Sequence, residues 1–90
     1  MTTIDAPRIA GRDRARTDVA DLDLPAGSTL VVQFPPRASA TPSYLDELIA
    51  AVCADRGAHL VLRSLSARAS VVAHESAARY EVVGLLTIEP

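Results

Sequence analysis

Apolar residues in this chain fall into three short runs, separated by stretches in which they recur at helical spacing. The first run, Thr29-Leu30-Val31-Val32-Gln33-Phe34, is β-branched and apolar and has the length of one buried strand. Pro35 and Pro36 stop it, because neither can donate to a sheet ladder. A polar loop over 37–41 leads to a helix start, with Thr41 suited to the N-cap and Pro42 to the first helical position. Leu45, Leu48, Ile49 and Val52 then share one helical face. That helix should end near 55–57, with Gly57 as the residue that breaks it and Arg56 as a favourable charge in its last turn. The second run, 58–63 around His59-Leu60-Val61-Leu62, predicts another buried strand. Strand, helix and strand in that order predict a right-handed crossover between parallel neighbours.

The same reading extends to both ends. Ser66 suits the N-cap of a helix reaching about Tyr80, whose alanine-rich face packs closely but buries little area. Residues 81–84 make a turn, and Leu85-Leu86-Thr87-Ile88 form the last strand. Residues 11–22 carry Ala15, Val19 and Leu22 at helical spacing among alternating charges, which predicts a short helix with a solvated, salt-bridged face. Residues 1–10 are expected to be loose, Pro7 opposing a helix there, with Arg8-Ile9-Ala10 as a possible short edge strand. The fold class is α/β: a single small layered domain over 1–90, with a mostly parallel sheet, a βαβαβ core and a short N-terminal helix.

Composition narrows the function classes. Nearly half the residues are hydrophobic (49%) but only 3% are aromatic, so the core rests on Leu, Val and Ile, and a second copy in a homodimer would help it. A formal charge of −2 argues against a general nucleic-acid binder. All nine basic residues are arginines, and five aspartates between Asp5 and Asp23 offset the arginines around them. One cysteine, Cys53, excludes an internal disulfide and fits a reducing cytoplasm. No run approaches the ~18–20 apolar residues that span a bilayer, and the first residues lack the pattern of a secretion signal. The expectation is a soluble cytoplasmic protein with no membrane or nucleic-acid partner.

A strand ending in Val31-Val32-Gln33-Phe34, a small polar loop, and a helix opening Thr41-Pro42-Ser43-Tyr44-Leu45-Asp46-Glu47-Leu48 resemble the STAS fold, especially its shorter STAS-like members. Gly57 before an apolar strand, a small-residue helix, the closing Leu85-Leu86-Thr87-Ile88 and the early Gly11-Arg12 agree with that resemblance, which covers about 9–88. It implies regulation rather than catalysis. Anti-sigma-factor-antagonist STAS domains bind a protein partner, often an ATP-binding switch kinase or anti-sigma factor, through this loop and helix start. Many are phosphorylated on a serine in an Asp-Ser-Ser-Gly sequence that opens the helix. Here the acceptor position falls on Pro42, and the aspartate and glycine are missing.

Several side chains remain as candidates. Ser43, Thr41 and Ser39 are possible phosphate acceptors, since a helix N-terminus tolerates added negative charge. Ser43 and Thr41 have an alternative role in capping, with Asp46 placed for a capping box. Phe34, Arg37, Ser39, Thr41 and Tyr44 make up the expected partner-binding surface: Phe34 at the strand end, Arg37 as a contact for an acidic partner, and Tyr44, if exposed, as an interface anchor. No cofactor or catalytic set is expected. Cys53 has only His59 nearby in sequence and reads as a small buried hydrophobe. His59 and His74 lack zinc-ligand spacing, and no glycine-rich phosphate loop occurs. Asp46 and Glu47 are adjacent on a helix and so point about 100° apart, which argues against shared acid–base work.

Overall fold

The computed structural model describes residues 1–37 and 39–90, with backbone alone at Ile9, Ala10 and Ser39. Four parallel strands form the sheet: β1 (Thr2–Asp5), β3 (Thr29–Gln33), β5 (His59–Arg63) and β6 (Leu86–Glu89), in the order β1-β3-β5-β6. Between them run α1 (Arg12–Ala20), α2 (Pro42–Ile49) and α3 (Ala67–Arg79). Two further short strands, β2 (Ile9–Ala10) and β4 (Ser39–Ala40), pair in parallel with each other outside the main sheet.

Strand order follows chain order, so every right-handed crossover steps the same way and leaves its helix on the same face. Accordingly α1 packs on α2 and α2 on α3. Register explains the core: Leu30 sits beside Leu60 and Leu60 beside Leu86, while Val32, Leu62 and Ile88 form the next row. These side chains meet Leu45, Leu48 and Ile49, which α2 turns inward, and Val52 just beyond it, and all four are fully buried. The opposite face carries Thr3, Val31, Val61 and Thr87 in one row and Asp5, Gln33, Arg63 and Glu89 in the next. Among the described residues no helix covers it, which is unusual for a parallel sheet; the face is largely polar, although Val31 at its centre is buried between its neighbours. The α/β layered fold and its parallel sheet are as the sequence predicts.

Four local expectations need correction. The segment expected to be loose contains β1, because the Thr2–Asp5 backbone pairs with β3 and Ile4 packs against the core. The short strand expected at residues 8–10 is there, as β2 over Ile9–Ala10, but it pairs with β4 and does not edge the main sheet. α2 does not run as a regular α-helix to Asp55; it passes at Ile49 into one π-helical turn, Ala50–Ala54, in which the Asp55 amide donates to the Ala50 carbonyl at 2.8 Å. Gly57 ends it at φ +67. Arg56 serves another helix: its guanidinium donates to the carbonyls of Leu22 (2.6 Å) and Val19 (3.1 Å), at the C-terminal end of α1.

Candidate functional site

Parallel strands bring their following loops to one end of the molecule. There the β3–α2 and β5–α3 connections enclose a cleft of about 170 Å³. Phe34, buried at 2% exposure, and Pro35, Pro36 and Ala40 form one wall; Leu65, Ser66 and Ala69 form the other. Gln33 ties the walls together, its amide donating to the Phe34 carbonyl (3.2 Å) and the Ser64 hydroxyl (2.9 Å). The Phe34 amide donates to the Arg63 carbonyl and the Ser64 amide to the Glu89 carbonyl, so sheet-type bonding runs to the lip of the cleft. Arg37 and Ser64, one on each connection, both hold the left-handed backbone (φ 62 and 64) that side chains other than glycine's rarely adopt. Ser66 caps α3 by accepting from the Ala69 amide at 3.2 Å.

The residues singled out in the sequence separate into two groups. Phe34 and Arg37 line the cleft, Arg37 with its side chain exposed. Ser39 lies in β4, and its side chain is outside the described residues. Thr41 caps α2 by accepting from the Tyr44 amide at 3.1 Å, and Ser43 is exposed on the first turn. Tyr44 is not an exposed anchor. It is fully buried, meets Phe34 edge to face (centroids 6.3 Å apart, planes at 85°) and donates its hydroxyl to Asp18 Oδ2 at 3.1 Å. Burial, with Asp18 alongside, pushes the Tyr44 phenol pKa up, so it stays a donor. Tyr44 therefore joins α1 to α2 and supports the cleft from below.

Asp46 also departs from expectation: it does not complete a capping box but faces α3. Its Oδ1 accepts from Ser76 Oγ (2.8 Å) and Arg79 Nη2 (2.6 Å), and its Oδ2 from Tyr80 Oη (2.9 Å) and Arg12 Nη1 (3.3 Å). Burial would raise its pKa, but the bonds from Ser76, Tyr80, Arg79 and Arg12 outweigh that and hold the carboxyl at about 2. Arg12 Nη1 also donates to Glu47 (3.0 Å), so the two carboxylates, expected to diverge by about 100°, both reach the same guanidinium nitrogen. This fully bonded hub, ionised at neutral pH, links three helices. Its ligands come from residues distant in sequence, so only an aspartate beside an apolar helical face hinted at it.

Cys53 and His59 are not brought together as a reactive pair. Cys53 is buried with its thiol toward the Leu85 carbonyl (3.7 Å), and burial pushes its pKa up to about 11. His59 is exposed and alternates onto the bare face of the sheet, away from Cys53. Among the described residues, no cluster of His, Cys, Asp and Glu is placed to hold a metal ion, and no helix is long and apolar enough to cross a membrane. Comparison with protein-family models, curated proteins and solved structures returned no match.

Proposed function

We propose that this chain is a non-catalytic recognition module of STAS-like type, which docks a protein partner at the cleft between the β3–α2 and β5–α3 connections. One observation carries this reading. The concavity at the strand ends is walled by apolar side chains interspersed with Arg37, Ser64 and Ser66, while the thiol and the hub carboxylate are buried elsewhere. A surface of this kind recognises a shape and does not activate a bond. Strands and helices wound in chain order, with the β3 loop leading into α2, are consistent with the STAS-like resemblance. The partner class that resemblance implies is an anti-sigma factor or ATP-binding switch kinase in bacterial signalling. Ser43, exposed beside the cleft on α2, is the hydroxyl at which phosphorylation would alter the surface; Thr41 already serves as a cap.

The test is affinity purification of the tagged chain from its source, with mass spectrometry and light scattering. Leu65→Asn and Pro36→Ser alter the cleft, and Thr87→Arg alters the bare sheet face. A partner held by the parent and by Thr87→Arg but released by both cleft variants is the expected result. Release by Thr87→Arg alone would move the docking surface to the sheet. A stable homo-oligomer with no second protein would favour a self-assembling subunit instead.

A further inference from the structure

The arginines divide by position. Arg12, Arg14, Arg16, Arg63 and Arg79 bind carboxylates, and Arg56 binds backbone carbonyls. Arg8, Arg37 and Arg68 have no such partner among the described residues, and all three are exposed. They share one end of the molecule. Arg8 precedes β2, whose Ile9 pairs with Ser39; Arg37 lines the cleft; Arg68 lies between Ser66 and Ala69, which also line it. Against them at that end stand exposed Asp5 and Asp13, the latter 3.7 Å from Arg16, Glu89 being held by Arg63. The opposite end carries exposed Asp21, Asp23, Asp55 and Glu81, each just after a helix or its π-turn. The three helices point the same way, so their dipoles reinforce this polarity.

We propose that the cleft and its arginine rim take an extended acidic peptide segment: one apolar side chain enters the cleft, and carboxylates on either side meet Arg8, Arg37 and Arg68. This deepens the recognition role proposed above and rests on it. Size favours a peptide, because about 170 Å³ holds one side chain, well below the roughly 300–1,000 Å³ of small-molecule sites. Chemistry disfavours RNA: Phe34, the aromatic of the cleft, is buried and gives a base nothing to stack on.

The test is fluorescence anisotropy of the full chain with a labelled peptide of glutamates and aspartates around one central leucine. Binding should weaken as salt rises. It should fall about tenfold in Arg37→Glu/Arg68→Glu, the size of a few exposed ion pairs, and similarly when serine replaces the peptide leucine. Asp55→Lys, at the far end, should leave it nearly unchanged. The reversed arginines are exposed and unpaired, so these variants should fold. The proposal is overturned by equal binding of a lysine-rich version, by indifference to the arginine reversals, or by no binding at millimolar peptide. Tighter binding of a single-stranded RNA would overturn it too, as would salt-sensitive self-association lost in the same variants. If the captured protein is released by Leu65→Asn and Pro36→Ser but ignores the arginine reversals, the recognition role stands and its acidic chemistry falls. If the captured protein ignores every cleft variant, the recognition role falls.

Discussion

Replacing Asp46 by asparagine keeps the shape of the hub and removes its charge. The best orientation of the amide keeps its oxygen toward Ser76 and Arg79 and turns its NH2 group to Tyr80, whose hydroxyl can accept; Arg12 then loses its bond to this side chain. The magnitude follows from proton linkage. A carboxyl held at about 2 instead of its ordinary 3.8 stabilises the folded state by about 2.5 kcal/mol at neutral pH. The side chain is only 13% exposed, so most of that should survive solvent screening, although Arg12 and Arg79 can rehydrate. Because the folded pKa lies below the unfolded one, this stability is fully present above about pH 4 and lost as pH falls through 2. Urea unfolding of the parent and of Asp46→Asn, from pH 7 down to pH 2, should give a gap of about 2 kcal/mol at pH 7 that closes across the acid range. Other carboxylates titrate there too, so the difference between the two proteins is the readout. Equal stability at pH 7, or a gap that persists to pH 2, would refute the assignment of Asp46 as an ionised helix staple.

Tyr44→Phe should lose the bond to Asp18 and about 1 kcal/mol, whereas Tyr44→Ala should lose about 3 kcal/mol or more in thermal unfolding; a Tyr44→Ala variant as stable as the parent would contradict its burial. Gly57→Ala should cost about 1 kcal/mol, because φ +67 strains any side chain even though the nearest atom, Ala26 Cβ at 3.6 Å, leaves room. Cys53 should resist a thiol reagent at pH 8 in the native protein and react at once in urea, its thiol being buried with a pKa pushed up to about 11.

The repeating unit of this fold was readable because each buried strand is a short apolar run closed by a specific stop. Pro35-Pro36 ends one and the Ser64–Ser66 turn the next, and the helices between them begin at side-chain caps, Thr41 and Ser66. β1 was harder to read: Ile4 is its sole large apolar residue, and the strand exists because β3 offers it a free edge. Tyr44 was legible in principle. It stands four residues before Leu48 and eight before Val52, the spacing that places all three on the buried face. Its position near the helix start suggested exposure, but α1 covers that turn, and α1 is brought there by the chain's tertiary course. The Asp46 hub draws on residues 12, 76, 79 and 80, a set no local pattern joins.

Topology also says why the candidate site lies at one end. When strand order follows chain order, successive crossovers never reverse, so the sheet has no internal switch point to open a crevice between diverging loops. A concavity must then form where two adjacent loops stand proud of their strands. β3 and β5, the two central strands, are the pair whose loops are flanked on both sides, by β1 and β6. The loops there are anchored by the Gln33 bonds and by caps at both following helices, so the cleft is held open by the same bonds that finish the strands. Moving the charge of its rim should therefore change what it binds with little change in folding, whereas cutting the Gln33 tether should loosen both walls. Gln33→Ala tests that separation: faster amide exchange at Phe34 and Ser64, with the Asp46 hub unaffected, is the expected pattern. Equal protection in both proteins would mean that the walls are held by something other than Gln33.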